Sequence, residues 1–420
     1  MKTKAVRLYG KEDLRLEEFE LPVLKNDEIL MKIVSDSLCM SSYKAAVQGG
    51  DHKRVPNDIA ENPIIIGHEF CGEVVEVGEK WQGQFKAGQK VAIQPALNLP
   101  GSPEAIGYSY TLVGGDATYV ILHNAVMEQG CLLPFEGDAF FGGSLSEPLA
   151  CVCCASHSMF HIPSAEVYAH EMGIKEGGKM VMMAAVGPMG LACIDYTLHG
   201  ARRPGLLVIT DIDQGRLDRA AKLLSVEDAA KNGVELHYIN TRDIDAHAVL
   251  MELTGGTGYD DAIVFAPVPA VVELADGVLG HDGCLNFFSG PGDPTFSSRI
   301  NLYNVHYNAT HIMGSAGSNT DDMKECLQMI SEGKLNPAFL VTHIGGLNCV
   351  AEATLNLPKI PGGKKLIYTH VDMPLTAIAD FAELGKTDPF YAKLAELTAK
   401  TDGLWNAEAE KFLLAEKAGK

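Results

Sequence analysis

The chain has 420 residues, more than one ordinary domain of about 150 accounts for, and its 46% hydrophobic and 21% charged residues are the balance of a folded protein, not a disordered one. Lys plus Arg number 34 and Asp plus Glu 54, so the net charge is −20, a field that repels nucleic acid and anionic lipid and argues against either as a partner. No apolar run approaches the roughly 18 residues of a membrane helix, the opening MKTKAVRLYGKEDLRLEEF has no apolar leader core, and the ten cysteines are irregularly spaced, so the expectation is a cytoplasmic protein with reduced thiols.

In chain order, short apolar runs at 28–34, 70–77 and 90–94 between frequent turn signals predict a β-rich segment to about residue 150. EVVEVG at 73–78 has the alternation of a strand with one covered face. From about residue 175 the pattern changes: GGKMVMMAAVGPMGLACIDYTLHG is a buried strand, a glycine turn and a helix ending at Gly200. Further apolar runs at 206–210, 261–267 and 284–290 alternate with helices, the first over about 214–224. That alternation predicts an α/β fold with a doubly wound parallel sheet. Beyond about 306 come a helix near 321–331, a strand in KKLIYTH, and two helices in LTAIADFAEL and FYAKLAELTAK. Trp405 and Phe412 are the apolar anchors of that tail, against the body of the chain or a neighbouring subunit.

Two constellations carry chemistry. Ala185-Val186-Gly187-Pro188-Met189-Gly190 lies directly between a strand and a helix, where glycines let the backbone approach a pyrophosphate at the helix N-terminus. The first glycine of the usual G-x-G-x-x-G is Ala185 here, but Asp211 follows Gly190 by 21 residues at the end of the next strand, where a carboxylate binds a ribose 2′-hydroxyl. NAD is therefore preferred, and Arg216 nearby keeps NADP open. The second constellation is Cys39 in DSLCMSS, His68-Glu69 after an apolar PIII run, and Glu147 in SEPLACVCC, all ligand types of zinc. Cys151, Cys153 and Cys154 crowd one short segment and are read as small buried residues.

Together these residues resemble the zinc-dependent medium-chain alcohol and polyol dehydrogenases: Cys39 with Ser41, GHEFCGEVVEVG at 67–78, FKAGQKVAI at 85–93, the Glu147-Pro148 pair, and AAVGPMG followed by TD at 210–211. The likeness spans residues 1 to about 370. RLYGKEDLRLEEFELP, DSLCMSS, NPIIIGHEFCGE, GCLNFFSGP and NTDDM make it most similar to the L-sorbose 1-phosphate reductase branch. The resemblance implies a GroES-like β-rich catalytic domain over 1–151 and 306–420, with a helical extension from about 371, around a Rossmann-type NAD(P)-binding domain over 152–305. It implies one catalytic zinc on Cys39, His68 and Glu69, with Glu147 either a further ligand or the hydrogen-bond partner of a bound water, and a proton delivered by Ser41. Lys44, standing where many relatives have His, or a water relays that proton; Ser289 after the last nucleotide-domain strand joins the cofactor residues. No cysteine lies between Cys71 and Cys131, so the four-cysteine structural zinc of many relatives is absent.

The implied reaction moves a hydride between NAD(P)H and a ketose or polyol phosphate, L-sorbose 1-phosphate to D-glucitol 6-phosphate, in a homodimer or homotetramer. Such a substrate needs a cation for its phosphate. Lys53 and Arg54 in the basic run His52-Lys53-Arg54, and Arg299, are the candidates. The alternatives are a zinc dehydrogenase of a free polyol or secondary alcohol, and a non-catalytic nucleotide-binding redox sensor of the same fold, against which the intact donor set argues.

Overall fold

The computed structural model describes residues 1–164 and 169–417, which divide into two compact units, Met1–Glu147 with Asn319–Lys420, and Pro148–Ser318. The end of the tail, residues 418–420, lies outside the described residues.

The first unit is built on the strand Ile29–Leu38, buried at nine of its ten positions. It runs antiparallel to Cys71–Val77, Tyr119–Leu122 and Lys364–Tyr368. Covered on both faces, it is apolar from Ile29 to Val34 apart from Lys32 and then buries the polar Ser35, Asp36 and Ser37, whereas Cys71–Val77 loses burial towards its end, as its alternating glutamates require. Ile29, Met31 and Ile33 pack with Phe70, Val74, Val91, Ile93 and Val120 in one core. The register with Lys364–Tyr368 sets Lys365 opposite Leu38, so a strand from late in the chain reaches the end of Ile29–Leu38 from which Cys39 emerges.

The tail departs from its helical expectation in its first half. Residues 375–384 contain the strand Thr376–Ala377, paired with Val341–Gly346, and then a 3-10 turn, Ile378–Asp380, that runs into a four-residue α-helix, Phe381–Leu384. Pairing to an open sheet edge wins over helical spacing there. The second half is helical, at Pro389–Ala399 and Ala407–Lys417. Trp405 is buried in its own unit, its Nε1 donating to the Tyr368 hydroxyl at 2.7 Å. That hydroxyl donates to Glu410 at 2.8 Å, and Glu410 also accepts from the backbone N–H groups of Phe140 and Phe141 at 2.6 and 2.9 Å. Phe412 stacks on Phe390 within the tail.

The second unit is a six-stranded sheet in which every neighbouring pair is parallel, ordered Glu235–Asn240, Leu206–Asp211, Lys179–Met183, Tyr259–Val264, Leu279–Phe287, His311–Met313. Numbered by sequence this is 3-2-1-4-5-6, the doubly wound order whose reversal beside the first strand forms a nucleotide crevice at the carboxyl ends. Met180 to Met183 are fully buried, so this strand carries no polar alternation. Both outer strands escaped the sequence reading: Glu235–Asn240 is half-covered and polar, and His311–Met313 lies past the boundary placed at 305. The unit accordingly runs to Ser318. Among the described residues no helix is long and apolar enough to cross a membrane.

Candidate active site

Cys39 closes the strand Ile29–Leu38 and is the N-cap of the helix Met40–Gln48, with extended backbone angles and no side-chain cap bond. Its sulfur is therefore available for other work. His68 and Glu69 come from the turn before Cys71–Val77, and two contacts seat that turn. Gly67 has φ +90, and a Cβ there would lie 2.3 Å from an oxygen of Asp36 and 2.6 Å from the Asp116 nitrogen, so only glycine fits. The Glu69 backbone N–H donates to Asp36 at 3.0 Å.

Cys39 Sγ, a ring nitrogen of His68 and a carboxylate oxygen of Glu69 all lie within 4.8 Å of one another. One thiol, one imidazole and one carboxylate at this spacing can grip a single tetrahedral ion and leave a position open, the pattern of catalytic zinc. Ser42 Oγ is 3.1 Å from His68 Nδ1. A neutral imidazole donating Nδ1–H to Ser42 turns the Nε2 lone pair towards the other two donors. Ser41 Oγ touches both, 3.0 Å from Cys39 Sγ and 3.3 Å from His68 Nε2.

Charge is as organised as geometry. Burial pushes the Cys39 thiol up, and the Lys364 ammonium opposes this. Burial also raises Glu69, but Lys364, His68 and the Ser37 hydroxyl outweigh it and hold the carboxyl below its usual range. Glu147, in the first turn of the helix Ser146–Ser158, is pushed up to about 7 by burial and next by the Glu69 carboxylate, which places it in the same electrostatic environment.

Several of these residues were not foreseen. Lys364 lay in KKLIYTH, where the apolar strand pattern concealed it. Ser37 and Ser42 sat inside the quoted DSLCMSS segment without a role. Tyr108, in a glycine-rich loop with no motif, lies with its hydroxyl 3.3 Å from His68 Nε2. The Arg54 guanidinium lies 5.3 Å from the centre of the Tyr108 ring, and His52 stacks on the same ring at 5.7 Å. Of the expected anchors, then, Arg54 reaches the donor set through Tyr108. Lys53 is exposed, and Lys44 is exposed on its helix. Arg299 lies in the other unit, 90% exposed and paired with Glu273 at 2.7 Å.

In the second unit the strand Lys179–Met183 turns at Ala184, which takes φ +55, and the helix Pro188–His199 begins with Gly187 as N-cap and Pro188 in its first turn. A Cβ on Gly190 would lie 2.0 Å from the Ala185 carbonyl oxygen, so the helix packs against the turn only because that residue is glycine. At Gly187 and Met189, by contrast, the turn has its own backbone at a helix N-terminus, and a Cβ at Gly187 would meet nothing within 4 Å. Asp211 ends the adjacent parallel strand, its Oδ1 accepting from the N–H groups of Ile212 and Asp213 at 2.8 and 3.0 Å. Arg216 is exposed on the helix that follows, 4.0 Å from Asp213. The Ser289 hydroxyl, beyond the strand Leu279–Phe287, is buried with no hydrogen-bond partner among the described residues. Such an orphan beside the carboxyl end of the sheet suits a bound polar ligand.

Residues 25–130 match the alcohol dehydrogenase GroES-like domain and residues 188–332 the zinc-binding dehydrogenase domain. The chain is 48% identical to the L-sorbose 1-phosphate reductase of Klebsiella pneumoniae, over 98% of this chain and 97% of that protein. The chain belongs to the zinc-binding medium-chain dehydrogenase family. A mannitol-1-phosphate 5-dehydrogenase of Aliivibrio fischeri is equally similar, 48% identical over 98% of this chain and 97% of the relative. The crystal structure of 2R,3R-butanediol dehydrogenase from Bacillus subtilis shares the family fold, with a TM-score of 0.69 and 23% identity over 87% of this chain and 99% of that one. As a member of this family the chain is an oxidoreductase acting on CH–OH groups.

Proposed function

We propose that the chain reduces the ketone of a phosphorylated ketose, and oxidises the matching polyol phosphate, with one zinc ion and a nicotinamide dinucleotide. The observation that carries the substrate class is the Arg54 guanidinium stacked on Tyr108, whose hydroxyl reaches His68. A fixed cation close to the metal donors suits a doubly charged phosphate in a chain of net charge −20. The two relatives named for sugar phosphates point the same way.

Cys39, His68 and Glu69 fit zinc by donor chemistry and spacing, with Glu147 either a further donor or a hydrogen-bond partner for a bound water. When bound, the ion supplies Lewis acidity that stabilises negative charge on the substrate oxygen, and the nicotinamide supplies the hydride. Ser42 orients His68. Ser41, in reach of Cys39 and His68, carries the hydroxyl that gives its proton to the nascent alkoxide and takes it back in the reverse direction, refilled through Lys44 or water. Ala185 to Gly190 receive the pyrophosphate, Asp211 holds the adenosine ribose and favours NAD, and Arg216 flanks that position.

Purified protein is mixed with NADH or NADPH and L-sorbose 1-phosphate, free L-sorbose, or a 2-ketose carrying its phosphate on C6, with and without a strong chelator. The expected result is chelator-sensitive turnover of a phosphate ester, with Arg54→Ala raising its KM by about ten- to a hundredfold, the worth of one charge-assisted contact. Equal turnover of the free sugar, unaffected by Arg54→Ala, overturns the phosphate reading in favour of a free-polyol dehydrogenase.

A further inference from the structure

A lysine stands among the metal donors. Lys364 is the first residue of the strand Lys364–Tyr368, next to Lys365, which pairs with Leu38. Its ammonium is 14% exposed and pairs with Oε1 of Glu69, which is 1% exposed, while Ser37 donates to Oε2 of the same carboxylate. Both oxygens of Glu69 are thus engaged by the protein itself. The ammonium also lies within electrostatic reach of Cys39 and Glu147.

We propose that Lys364 is a positioning residue that shares Glu69 with the metal, holding the carboxylate back from full donation to the ion at the cost of metal affinity. The argument is electrostatic. A divalent ion facing the Cys39 thiolate and the Glu69 carboxylate already has its charge balanced, and each anion that donates fully blunts its Lewis acidity. Lys364 draws electron density from Glu69. The same positive charge repels an incoming cation. Removing it must therefore tighten metal binding and weaken catalysis together, a pairing that simple loss of structure does not produce.

The inference rests on the metal assignment above, and its test separates the two. Zinc affinity is measured by competition with a chromophoric chelator, and the visible spectrum of the cobalt-substituted protein is recorded, for wild type, Lys364→Met, Lys364→Gln, Lys364→Arg and Cys39→Ser. Expected is zinc binding at least about tenfold tighter in Lys364→Met and Lys364→Gln, an altered cobalt spectrum in both, and near wild-type behaviour in Lys364→Arg. Lys364→Gln can still donate to Glu69 and carries the test should the methionine variant fail to fold. Unchanged or weaker zinc binding in a folded neutral variant overturns the role of Lys364. Stoichiometric zinc in Cys39→Ser overturns the metal assignment itself, and the inference with it.

Discussion

At the scale of single residues, function hangs on orientation. Ser42 touches His68 on the side away from Cys39 and Glu69, so Ser42→Ala should leave the fold intact and lower zinc affinity by about ten- to a hundredfold, the usual weight of a partner behind a ligand, measurable by chelator competition. On the proposed metal site, Cys39→Ser should cost roughly a thousandfold in kcat/KM, since a Lewis acid there is worth several kcal/mol. Gly190 is a residue-scale constraint of another kind. In Gly190→Ala the new methyl meets the Ala185 carbonyl, and the turn must open, raising the dinucleotide KM by about tenfold or more in steady-state assays. The DSLCMSS, His68-Glu69 and AVGPMG segments were legible because they are contiguous and made of chemically distinctive residues. Lys364 and Tyr108 were not, because each lies among ordinary neighbours and acquires its role only from what folds against it.

At the scale of elements, polar groups buried between strands and loops set the conditions under which the second unit is stable. His161 Nε2 faces a carboxylate oxygen of Asp261 at 3.2 Å and Nδ1 faces the backbone carbonyl of Asp282 at 3.1 Å. Both partners are acceptors, so the ring is best satisfied carrying two protons. Burial acts against that charge, but the Asp261 contact and then Asp282 outweigh it and raise His161 above the usual imidazole range. Burial also raises Asp261. Asp282 in turn accepts from His311 at 2.7 Å. A group with a raised native pKa contributes stability that is complete below its unfolded value, about 6.5 for histidine, and that fades as pH rises through the native value. The melting temperature should therefore fall between pH 6 and pH 8.5, and His161→Gln should flatten that slope while lowering the value at pH 6.

At the scale of the whole molecule, the carboxylate of Glu410 fastens the tail to the first unit by accepting three hydrogen bonds, two of them from the turn that opens the helix Phe140–Ser144. Glu410→Ala leaves the part-buried Phe140 N–H, the buried Phe141 N–H and the buried Tyr368 hydroxyl without that acceptor. A loss of about 2–4 kcal/mol is expected in denaturant unfolding, because unpaired buried donors cost about 1–3 kcal/mol each. Isosteric Glu410→Gln should lose less. The helical second half of the tail was readable from its spacing, whereas the edge strand Thr376–Ala377 was not, because its partner Val341–Gly346 is a matter of sheet assembly.

The sequence alone determined the β-rich and doubly wound halves, the glycine turn with Asp211, and the proposed donors Cys39, His68 and Glu69, for these depend on local periodicity and on residue chemistry at short spacing. The tertiary structure alone decided which distant residues join them. Strand pairing across the first unit delivers Lys364 to Glu69 over 295 residues of chain, and loop packing lays Arg54 on Tyr108 and Tyr108 on His68. A long-range ion pair or stacked ring leaves no periodic trace, because its energy comes from burial and opposed charge at a place that exists only once the chain has folded.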